Sequence, residues 1–168
     1  MQNQLVIIHF PNKNNSSQVF KKLKTDNLKP ELNVKQVMLL QRNYDEKTFK
    51  VIDFENISGE KKEWRDSILG IIVGLLGGPL GPILGWAIGD VIGLGEAHHI
   101  SKEAHKMFDH MANCIDRGEE GIMAIIQEDN VSKLNELIET QYEGKIERFN
   151  CETIEKDIKQ LKKMKPNN

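Results

Sequence analysis

Residues 5–10 read LVIIHF and residues 122–126 read IMAII, and these two runs decide the fold. Each is short, rich in branched aliphatics and apolar at consecutive positions. In an extended chain, successive side chains point to opposite sides, so both faces of such a strand are hydrophobic. Strands of that kind belong in the middle of a sheet.

The segments around them read as follows. Pro11-Asn12 closes the first run, and residues 14–17 offer N-cap side chains for a helix that carries Val19, Phe20 and Leu23 inward and lysines outward. Lys29-Pro30 ends that helix. Residues 34–42 and 48–54, separated by the turn 43–47, predict a hairpin. Residues 100–115 predict an amphipathic helix: Ile100, Ala104, Met107, Phe108, Met111 and Ile115 share a face, while Lys102, Glu103, Lys106, Asp109 and Asp116 lie away from it. Gly118 stops it. After the second run, Asp129 or Asn130 caps a short helix with Val131, Leu134, Leu137 and Ile138 inward. A strand over 145–151 follows, and Thr153 caps a last helix striped by Ile154, Ile158 and Leu161. The order β-α-β-β, then α-β-α-β-α, predicts an α+β domain with a ferredoxin-like split βαβ sheet and helices on one face. The two apolar runs are its central strands, with the hairpin and 145–151 more peripheral.

A different kind of segment interrupts this pattern. Residues 68–94 read ILGIIVGLLGGPLGPILGWAIGDVIGL, broken by Gly77, Gly78, Pro79 and Pro82, which almost force a turn. The predicted organisation is residues 1–60 as one half of the domain, 61–97 as an inserted helical hairpin, and 98–168 as the second half with its terminal helix. Gly81, Gly85, Gly89 and Gly93 fall on one helical stripe, and Gly70 and Gly74 continue the theme in the first arm. A glycine inside a helix costs about 1 kcal/mol relative to alanine, so close approach of another helix is expected to compensate, as in a glycine zipper. The two arms are roughly 15 and 21 Å long, against a bilayer core of about 30 Å. Three arrangements follow: a re-entrant membrane element, a bundle of hairpins from several copies, or the core hairpin of a soluble domain. Asp90 argues against simple lipid exposure, since a carboxylate at membrane depth costs a few kcal/mol. Trp64 and Trp86, with Lys61, Lys62 and Arg65 beside the first, are candidates for the membrane interface.

The rest of the 168 residues bounds the function. A net charge of −2 with dispersed lysines and arginines gives no basis for binding nucleic acid. The basic run 159–165 reads either as weak attraction to anionic headgroups or as a solvated helix end. Cys114 and Cys151 stand in no CxxC spacing, which argues against a disulfide framework and fits a reducing compartment. The first residues lack the features of a secretory signal, so the cytoplasmic side is expected.

No catalytic motif is present, and neither an enzymatic activity nor a cofactor is expected. His98, His99, His105 and His110 follow the hairpin, but no two of them have the i, i+3 or i, i+4 spacing of a helical metal site. His98 and His105 lie two turns apart, and only Glu103 stands four residues from His99. A metal or haem site would need these histidines to meet between subunits. Cys114 reads as a core residue whose thiol pKa Asp116 and Glu119 would raise. His9 reads as a satisfied histidine within a buried strand.

The chain resembles the DUF1269 family, a group of unknown function whose members are described as predicted membrane proteins. The resemblance rests on LVIIHF followed by a helix, on the glycine-rich hairpin, and on the closing block GEEGIMAIIQEDNVSKLNELIETQYEGKIERFNCETIEKDIKQL. The charged KKEWRD segment and the histidine-rich exit from the hairpin depart from it. The resemblance implies a membrane-associated fold and supplies no catalytic residues. The expected partners are therefore copies of the chain itself and membrane lipid, with a soluble homo-oligomer as the alternative.

Overall fold

A computed structural model describes residues 2–25, 28, 30–44, 48–59, 63, 65, 67–77 and 102–163, without the side chains of 77, 102, 103, 105 and 161–163. Among the described residues the strands are β1 (Gln4–His9), β2 (Leu32–Arg42), β3 (Phe49–Asn56), β4 (Glu120–Glu128) and β5 (Lys145–Asn150). The helices are α1 (Lys13–Lys24), α2 (Ile68–Gly77), α3 (Lys102–Asn113), α4 (Val131–Asn135) and α5 (Cys151–Lys163). A π-helical turn over Glu136–Gln141 continues α4 directly.

All five strands form one antiparallel sheet in the order β3-β2-β4-β1-β5. The two apolar runs pair with each other, Ile7 opposite Met123 and Ile8 opposite Ile122. β4 lies between β1 and β2, and β1 lies between β4 and β5. The connections β1-α1-β2 and β4-α4-β5 therefore each step over one strand. β3 and β5 form the edges, as their mixed polarity predicts, whereas β2 is interior.

The sheet is covered on both faces, which corrects the expectation of helices on one side. Leu5, Ile7, Met38, Leu40, Met123 and Ile125 pack with α2, α3 and α5. Val6, Ile8, Val37, Leu39, Ile122 and Ile126 pack with α1 and α4. The reason lies in the apolar runs themselves: β1 and β4 are hydrophobic on both sides, and each side needs a cover. β2 achieves the same with a bulge between Val34 and Gln36. Leu32 and Val34 before it, and Val37 and Leu39 after it, then face the same layer despite the change from even to odd positions.

Capping differs from the sequence reading at two helices. Asn12 caps α1, its side chain accepting from the Asn14 N–H at 3.0 Å, ahead of the expected 14–17. Asn150 caps α5, accepting from the Thr153 N–H at 3.0 Å, so the helix begins before Thr153. Asn130 caps α4 as expected. Leu134, Leu137 and Ile138 are buried there, but Val131 is 48% exposed because it sits in the first turn.

Candidate functional site

Two places on the domain bear on function, both on the face that carries α3. The first is the seat of the inserted segment. Ser67 opens α2, its Oγ accepting from the Gly70 N–H at 3.0 Å and its carbonyl accepting from the Ile71 N–H. The helix is apolar throughout, and Leu69, Ile72, Val73 and Leu75 are buried. Ile68, Ile71 and Leu76 are partly buried against the same core. Gly70 is buried and Gly74 half-buried. α2 packs against α3, whose Ala104, Phe108 and Met111 are buried. The first arm is thus docked on the sheet.

Gly78, Pro79, Gly81, Pro82, Gly85, Trp86, Gly89, Asp90, Gly93, His98 and His99 lie outside the described residues, as do Lys61, Lys62 and Trp64. His105 belongs to α3, but its side chain is also outside them, and Arg65 is exposed in the turn before α2. His110 is directed to the sheet edge: its Nε2 is 3.6 Å from Glu147 and its ring centroid is 5.9 Å from that of Phe149 on β5. Among the described residues no helix is long and apolar enough to cross a membrane.

The second place is a polar corner where α3 turns into β4. Arg42, at the end of β2, is 8% exposed. Its Nη1 donates to the carbonyls of Ala112 (2.9 Å) and Ile115 (3.0 Å), closing the end of α3 where carbonyls lack helical partners. The Arg42 N–H donates to the Glu119 carbonyl at 3.0 Å, and the Gly118 N–H to the Arg42 carbonyl at 2.8 Å. Gly118 has φ +79°, a left-handed conformation that glycine adopts without strain. This fixes the turn so that Asp116 and Glu119 approach His9 at the end of β1. His9 Nε2 and Glu119 Oε2 are in direct contact. The His9 side chain is 12% exposed and that of Glu119 40%. On the opposite face, Glu120 accepts from the buried Ser16 Oγ at 2.8 Å.

This corner is absent from the sequence reading, which places Asp116 on the polar side of a longer helix and leaves His9 alone. The signal was available: pairing the two apolar runs antiparallel sets His9 opposite Gly121 and beside the acidic turn. Two free thiols lie among the described residues. Burial, and then the Glu147 charge, push the Cys114 thiol up to about 12. The expected direction is right, but the residues named for it, Asp116 and Glu119, are not the cause. Burial and then Glu155 push Cys151 up to about 11. Neither is a poised nucleophile.

No family model, curated protein or solved structure matches this chain.

Proposed function

We propose that the protein is a non-enzymatic, membrane-associated and self-associating protein: a ferredoxin-like domain, extended by the edge strand β3, that carries a glycine-zipper hairpin. The observation supporting this most directly is that α2 and α3 pack against each other on one face of the sheet. The segment 78–101 therefore starts at one helix and ends at its neighbour, the arrangement a hairpin requires. Among the described residues, each face of the sheet has its own apolar cover. In this reading the segment's glycines serve contacts with lipid or with another copy. The DUF1269 resemblance points the same way.

The burial of α2 favours a second reading, a soluble homo-oligomer whose hairpins meet between subunits, because the first arm spends its apolar side chains on its own domain. Purification without detergent, followed by light scattering, separates the two. Sedimentation with membranes supports the first reading, and a monodisperse soluble particle supports the second. Gly85→Leu combined with Gly89→Leu disperses the assembly under either. An unchanged particle size and membrane fraction would refute the zipper.

A further inference from the structure

We infer that the polar corner formed by His9, Asp116 and Glu119 is a binding site for a divalent transition-metal ion. The three side chains come from two parts of the chain joined only by the β1–β4 pairing, and their ligand atoms all lie within 4.8 Å of one another. Ligands about 2.1 Å from a shared ion sit at most about 4.2 Å apart, so a small rotation of Asp116 and Glu119 closes the set. Asp116 is exposed and Glu119 is 40% exposed, which leaves both carboxylates room to turn. The imidazole is the more confined member: its side chain is 12% exposed and its strand is paired on both sides, to β4 and to β5.

The donor set selects the ion. Two carboxylates balance a charge of +2, and one neutral imidazole favours zinc, manganese or iron over magnesium or calcium. The set contains no thiolate. Three protein ligands leave the solvent side of the ion open to water or to an added ligand. The backbone of the turn is held independently of the ion by the Arg42 and Gly118 hydrogen bonds, so only side-chain rotation is needed when it binds.

The inference does not depend on the hairpin's role, and the test uses the full chain. After treatment with EDTA, the protein is titrated with ZnCl2 by calorimetry, with MgCl2 as the control. The expected result is one zinc site per chain and no response to magnesium. Asp116→Ala, a surface change that leaves the fold intact, weakens zinc binding at least tenfold, and His9→Ala abolishes it. His110→Ala, which removes an imidazole outside the corner, leaves it unchanged. Absence of zinc binding, or binding that survives both Asp116→Ala and His9→Ala, would overturn the assignment. Circular dichroism of each variant shows whether a loss reflects the site or the fold.

Discussion

The guanidinium of Arg42 reaches from the last residue of β2 to the carbonyl of Ile115 at 3.0 Å, in a buried position. One side chain thereby ends α3 and anchors the turn that leads into the central strand β4.

Replacing Arg42 with methionine keeps the apolar stem and strands the carbonyls of Ala112 and Ile115. Leaving buried acceptors unpaired costs about 1–3 kcal/mol, so the urea midpoint falls with an unchanged slope. Lysine restores only part of this, because a single ammonium does not reproduce the planar fork.

Gly121 sits where β4 passes β1. A Cβ there would lie 2.5 Å from the Ile115 Cδ1 and 2.9 Å from the Ile8 carbonyl oxygen. The side chain can move aside, but the backbone oxygen cannot. Gly121→Ala is expected to destabilise by about 1–3 kcal/mol, measured by denaturant unfolding.

Ile72 is fully buried within α2. If the first arm belongs to the core, Ile72→Ala costs about 2–5 kcal/mol of unfolding free energy. Under the proposed zipper, Gly85→Leu with Gly89→Leu is by contrast expected to change particle size in light scattering more than the domain's unfolding midpoint.

Arg148 on β5 forks onto Glu128 of β4, at 2.5 and 3.2 Å, passing over β1. The Glu128 side chain is 3% exposed. Arg148→Ala leaves that carboxylate buried without its main partner and is expected to cost about 3 kcal/mol; the Arg148→Met, Glu128→Leu double variant recovers most of it.

Both thiols are held protonated by burial, with folded pKa values of about 12 and 11 against an ordinary 9.0. The folded state therefore binds protons that the unfolded state releases, and this contribution is complete below pH 9 and lost as pH rises from about 9 toward 12. Native protein at pH 8 is expected to react slowly with iodoacetamide, and unfolded protein rapidly, as followed by mass spectrometry.

The central pair β1–β4 was legible because their composition demands burial on both sides, and that demand also predicts the two-sided cover that the ferredoxin-like expectation missed. The bulge after Val34 was not legible, since it leaves the apolar count of β2 unchanged and shifts only which layer each residue meets. The caps lie upstream of the expected 14–17 and Thr153, because Asn12 and Asn150 do the same chemistry one turn or less earlier. The corner around His9 is long-range: contact between His9 and Glu119 depends on strand order, to which local periodicity is blind.

The position of β1 in the sheet also orders events during synthesis. Gln4 is synthesised before residues 68–94, and its partner Ile126 only after them. The nascent chain thus presents its greasiest stretch while the scaffold beneath it is still missing its middle strand. Any factor that binds that stretch during synthesis therefore acts before the sheet is complete.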